Sequence, residues 1–112
     1  MASTITDRVN GAVAGVAVTT GFGILATENV AGTNTVTADT TPTISGYVTN
    51  MYASIRPANN NTGPVDINLG EGGLVNLLKP NGDELAADEF NTALEYLIRF
   101  NGTEFRIVTP SF

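Results

Sequence analysis

The segment Glu95–Val108, EYLIRFNGTEFRIV, constrains this chain more than any other stretch. Two runs of alternating apolar residues flank Asn101-Gly102, and an Asn-Gly pair between such runs predicts a type I′ turn with positive φ at both central residues. With that turn, Phe100 faces Thr103, Arg99 faces Glu104, Ile98 faces Phe105, Leu97 faces Arg106 and Tyr96 faces Ile107. Tyr96, Ile98, Phe105 and Ile107 then share one face, and Arg99 pairs with Glu104 on the other. Asn101 and Gly102 are thus the structural turn, and Gly102→Val is expected to destabilise more than Gly72→Ala.

The same period of two recurs upstream. In "AGTNTVTADTTPTISGYV" Thr33, Thr35 and Thr37 lie opposite Val36, which predicts a strand polar on one face, at a surface or a subunit interface. Met51, Ala53 and Ile55 alternate with Tyr52, Ser54 and Arg56 until Pro57 removes an amide donor. "VDINL" reads as the partner strand, with Val65, Ile67 and Leu69 on one face. Pro57 and Pro64 bracket the loop between them, too long for a two-residue hairpin turn. Asparagine tolerates left-handed backbone and folds its side chain onto nearby amides, so Asn59, Asn60, Asn61 and Thr62 suffice to close the loop. They are also the candidate contact loop, because polar loops on a rigid sheet often carry binding. Leu74, Val75, Leu77 and Leu78 form a short apolar segment ended by Pro80-Asn81-Gly82.

Residues 1–30 show no sustained alternation and are rich in Ala, Gly and Val, which predicts an N-terminal anchoring arm (1–30) before a β module (31–112). The uncharged run after Arg8 is diluted by Gly, Thr and Asn and lacks a basic n-region, so neither membrane insertion nor a cleaved signal is expected.

Composition narrows function. The chain has 112 residues, a net charge of −6, no histidine and no cysteine. Scattered Arg8, Arg56, Lys79, Arg99 and Arg106 do not make a phosphate-binding surface, so no nucleic-acid partner is expected. Without His or Cys the commonest general base, transition-metal ligand and thiolate nucleophile are missing. Asp83, Glu84, Asp88 and Glu89 lack calcium-loop spacing and read as a solvated acidic connection. The chain is therefore not expected to be an enzyme, and no catalytic residue, metal or cofactor is assigned.

Two sets of residues carry a resemblance. "TITDRVNGAVAGVAV", residues 4–18, resembles the opening segment of tail-fibre and head-fibre-like virion appendage proteins of tailed bacteriophages. The ordered blocks "GTNTVTA", "TPTISGY", "ANNNTGPVDINL", "LLKPNGDEL" and "FNGTEFRIV" look like a small β module of the same virion proteins. The low charged fraction, 14 %, and the recurrent alternation predict an all-β fold, a small antiparallel β-sandwich or jelly-roll-like module with an extended arm, and the resemblance implies assembly as a homotrimer. It implies location on the virion, with Asp7, Arg8, Val9, Asn10, Gly11, Val13 and Gly15 as the virion anchor to a capsid, neck or tail protein. It also implies that Asn61-Thr62-Gly63 is a turn joining two strands. Alternatives are a capsid decoration (cement) protein and a host-glycan-binding module of a tail fibre.

Overall fold

A computed structural model describes residues 23–112. Seven strands follow in order: β1 (Ile24–Ala31), β2 (Thr35–Thr41), β3 (Tyr52–Ile55), β4 (Val65–Leu69), β5 (Val75–Leu78), β6 (Tyr96–Phe100) and β7 (Phe105–Thr109). The described residues contain no helix. The strands close into a barrel in the order β1-β2-β4-β5-β7-β6-β3. The fold is thus all-β, but it is a closed, mixed barrel where an antiparallel sandwich or jelly roll was expected. Three neighbouring pairs are parallel, β1/β3, β2/β4 and β5/β7, and the other pairs are antiparallel. Closure leaves no strand with a free hydrogen-bonding edge, which removes the usual route to edge-to-edge aggregation.

Alternation decides what fills the barrel. Val36 and Ala38 point inward from β2, Ala53 and Ile55 from β3, and Val65, Ile67 and Leu69 from β4. Leu77, Tyr96, Ile98, Phe100, Phe105 and Ile107 complete the wall, while Thr35, Thr37, Asp39 and Thr41 stay outside. Thr40 also points inward, and its Oγ1 is buried without a hydrogen-bond partner. An unmet buried hydroxyl is unfavourable, so Thr40→Val, which keeps the shape, is expected to raise stability by about 1 kcal/mol in urea denaturation.

The strand neighbours differ from those expected. β3 and β4 never pair: β1 and β2 lie between them, and β4 pairs with β2 and β5. The segment 56–64 is therefore a crossover spanning one barrel end, not a hairpin loop, so Asn61-Thr62-Gly63 does not join adjacent strands. The sheet also begins earlier than expected. Leu25 is buried and β1 pairs with both β2 and β3, so residues 24–30, expected in the arm, are a wall of the barrel. Bulging between Glu28 and Ala31, with Asn29 at φ 55°, masks the period-two pattern of this strand.

The β6–β7 hairpin keeps its inward face and changes register. Phe100 pairs with Phe105, Arg99 with Arg106 and Ile98 with Ile107. Phe105 faces Phe100 where the two-residue turn would have set it against Ile98, so the strand has slipped by two residues and every side chain keeps its face. The loop is Asn101–Glu104, in which Gly102 alone has positive φ, 107°. Asn101 Oδ1 accepts from the amides of Thr103 and Glu104, both at 3.0 Å, and these bonds favour the longer loop. Glu104 then pairs with Arg106 at 3.0 Å, not with Arg99, whose guanidinium donates to Asn50 Oδ1.

Candidate functional site

Strand directions sort the connections to two ends. Segments 42–51, 70–74 and 101–104 lie at the end where β1 begins, called upper here, and segments 32–34, 56–64 and 79–95 lie at the lower end.

The candidate contact loop is at the lower end, and its side chains are turned largely toward the protein. Asn61 is fully buried and uses both its backbone and its side chain. Its amide donates to Phe90 O (3.1 Å) and its carbonyl accepts from Asp88 N (2.9 Å). Its Nδ2 donates to Gly63 O (2.7 Å) and Ala86 O (2.9 Å), and its Oδ1 accepts from Phe90 N (2.9 Å). One side chain thus holds the 79–95 segment in place and seats Leu85 and Phe90 in the core. Asn59 Nδ2 donates to Gly32 O at 3.2 Å, and Asn60 Oδ1 accepts from Thr92 N at 3.0 Å. Thr62 and Asn34 exchange two bonds, Thr62 N to Asn34 Oδ1 at 2.9 Å and Asn34 Nδ2 to Thr62 Oγ1 at 2.8 Å. Arg56 Nη1 adds a bond to Thr92 O at 2.9 Å. The loop is a clamp joining the three lower-end connections.

Beneath this clamp Phe90 packs on Tyr96 with ring centroids 4.7 Å apart. Tyr96 OH donates to Glu89 O and accepts from Asn91 N, and burial pushes its pKa up. The Glu89 carboxylate accepts from Ala86 N at 2.7 Å and lies 2.9 Å from Lys79 Nζ, and those partners hold its pKa below the ordinary value. Among the described residues no group of three or more acidic side chains is placed to hold a metal ion.

Tyr47 closes the upper end. Its ring lies 5.1 Å from Phe100 and 5.0 Å from Phe105, edge-on to the latter. Its hydroxyl donates to Gly73 O at 2.5 Å and accepts from Leu69 N at 2.9 Å. A Cβ on Gly72 would sit 2.3 Å from this ring, so Gly72 is the floor on which Tyr47 rests. Burial raises the Tyr47 pKa above the ordinary tyrosine value. With Tyr47 and Tyr96 both raised, their contribution to stability is whole below about pH 10 and lost as pH climbs through the folded-state values. Tyr47→Phe is expected to lower stability at pH 7 by about 1–2 kcal/mol and to make the alkaline decline less steep. Chemical denaturation at pH 7 and above pH 10 measures both.

With both ends described, the chain can be set beside known proteins. No protein-family model, curated protein or solved structure matches it. The expected anchor residues Asp7, Arg8, Val9, Asn10, Gly11, Val13 and Gly15 lie outside the described residues. Of the contact loop, Asn59, Asn60 and Thr62 are exposed and Asn61 is buried. Among the described residues Asn59 Oδ1 and Asn60 Nδ2 have no hydrogen-bond partner, so these side-chain atoms are available for an outside contact. Sequence reasoning did not find Tyr47 or Phe90 as end plugs. The faint signal for Tyr47 was a lone aromatic between Gly46 and Val48, outside any alternating run.

Proposed function

We propose that this chain is a structural component of a tailed-bacteriophage particle, a short trimeric appendage whose rigid barrel is held to a capsid, neck or tail protein by its N-terminal segment. The observation that carries the reading is the sealing of the barrel by its own side chains. Tyr47 fills one end and Asn61, Leu85 and Phe90 fill the other, so the interior is packed as a mechanical body and not as a ligand chamber. The virion address rests on the resemblance of residues 4–18 and of the block order to phage appendage proteins. A glycan-binding role draws less support, because Asn59 to Thr62 direct most of their polar atoms into the clamp. A decoration protein of the head would share every feature of the barrel and differ in where it docks.

The outer face of β1 and β2 suits a three-fold interface. Ala31 stands opposite Thr37 and Ala26 opposite Thr41, all exposed, Thr33 and Thr35 extend the strip, and the exposed acidic pair Glu28 and Asp39 lies between the two. Small side chains with little rotamer entropy allow close approach of subunits. Light scattering of the purified chain is expected to give three times the 11.7 kDa protomer mass, and Thr37→Arg to reduce it to one. A monomeric wild type removes the trimer. A density map of the intact particle tests the address, and a particle in which no barrel of this shape is attached removes the virion role.

A further inference from the structure

We propose that the three-fold contact lays β2 of one copy along β3 of the next, with Arg56 of the second seated against Glu28 and Asp39 of the first. The inference rests on the trimeric reading above and names the residues that close the ring. Glu28 and Asp39 stand directly opposite each other across β1 and β2, both exposed. Like charges in that position repel and weaken the strand pair. Asp39 accepts from Asn29 Nδ2 at 2.9 Å, and among the described residues neither carboxylate has a cation within ion-pair distance. A cation brought to them from outside offsets the repulsion. In a three-fold ring every contact joins two different patches, so this acidic face meets another part of the barrel and not itself.

Arg56 is placed to be that part. It follows buried Ile55 at the end of β3, so alternation turns it outward, and its guanidinium is exposed and donates to the neutral carbonyl of Thr92. The β1/β3 register, Ile24 with Tyr52 and Leu25 with Ala53, extends to Glu28 with Arg56, and the Thr27 Oγ1 bond to Ser54 O at 2.8 Å keeps the strands together along that stretch. Arg56, Glu28 and Asp39 therefore share one row across β3, β1 and β2. The barrel has seven strands, so Arg56 and the acidic pair face directions roughly 80° apart. A subunit of a three-fold ring presents its two contacts about 60° apart, which puts β1 nearest the axis. The long arginine side chain spans the offset that strand tilt adds. The other cations among the described residues fit less well. Lys79 and Arg106 already pair with Glu89 and Glu104, and Arg99, on β6, faces roughly 130° from the acids, too wide for a ring of three.

Light scattering of the full chain over a dilution series reads the contact. Arg56→Glu, and separately Glu28→Lys with Asp39→Lys, are each expected to raise the concentration at which the trimer half-dissociates at least about ten-fold, and all three substitutions together to restore it. A monomeric wild type removes the trimeric reading and this inference with it. A trimeric wild type whose variants keep its mass, or a triple variant that does not reassemble, overturns this inference alone and assigns the acidic face to a different partner. Glu28 and Asp39 take no part in the lower-end clamp, so their reversal gives a result even if Arg56→Glu fails to fold. The chain has no cysteine, so an introduced pair reports directly. Arg56→Cys and Asp39→Cys in one chain lie two strands apart, about 10 Å, too far for a disulfide within that chain. Mild oxidation of this double variant is expected to give a product of three times the protomer mass on a denaturing gel, while each single variant stays at protomer mass. A double variant that also stays at protomer mass overturns the proposal.

Discussion

Asn61→Asp is expected to leave the barrel largely unfolded at neutral pH. The substitution puts a carboxylate oxygen where Nδ2 donates to Gly63 O and Ala86 O, so two carbonyls face a buried negative charge. Asn61→Ala removes the same donors and also the acceptor of Phe90 N, leaving three backbone groups of the lower end unpaired. At about 1–3 kcal/mol for each buried group left unsatisfied, less whatever water recovers, Asn61→Ala is expected to lose about 3–5 kcal/mol. That is a large part of the stability of a domain this size. The Asp variant is expected to be worse than Ala at pH 7 and to recover partly in acid, where the protonated carboxyl regains one donor. Thermal melts of both variants between about pH 4 and about pH 7 measure the order. If Asn61→Asp melts with the wild type at pH 7, the clamp is not what holds the 79–95 segment.

Gly32→Ala is expected to cost about 4 kcal/mol, the largest loss among substitutions of the described glycines. Gly32 has φ +98°, and a Cβ built there lies 1.9 Å from Thr35 O and 2.9 Å from Thr35 C. Both atoms are backbone, so no side-chain rotation relieves the contact, and the β1–β2 turn itself must move. Moving it also disturbs Gly32 O, which accepts from Asn59 of the lower-end clamp. A Cβ at Gly102 meets only Thr49 side-chain atoms, the nearer at 3.3 Å, and the cost of Gly102→Val, about 1–3 kcal/mol, comes chiefly from φ +107°. Gly72→Ala, expected from the sequence to be the mild member of the pair, would drive its methyl into the Tyr47 ring. It is now expected to cost at least as much as Gly102→Val. Urea denaturation of the three variants tests the ranking, and a Gly32→Ala protein as stable as the wild type would mean that the turn takes another conformation.

Legibility followed the range of each signal. The alternation in Tyr52–Ile55, Val65–Leu69 and Tyr96–Phe100 named both the strands and the inward residues, and the buried positions follow it. β1 was not read, because its bulge breaks the alternation and its composition continues that of the preceding segment. In the candidate loop the residue types announced a turn, yet nothing local distinguished Asn61, with no exposed surface, from exposed Asn59 and Asn60.

The sequence by itself determined that the chain is built of strands, and which face of most strands is apolar. It determined that Asn101-Gly102 turns the chain back, because these properties depend on residues within a few positions of one another. Tertiary structure alone decided that the sheet closes, that β1 and β2 separate β3 from β4, and that the final hairpin slips by two residues. Backbone hydrogen bonds between strands are the same whichever strand is adjacent, and an even slip keeps every side chain on its face. Partner choice therefore falls to distant contacts: Asn61 to Ala86, Asp88 and Phe90 at one end, and Tyr47 to Leu69 and Gly73 at the other.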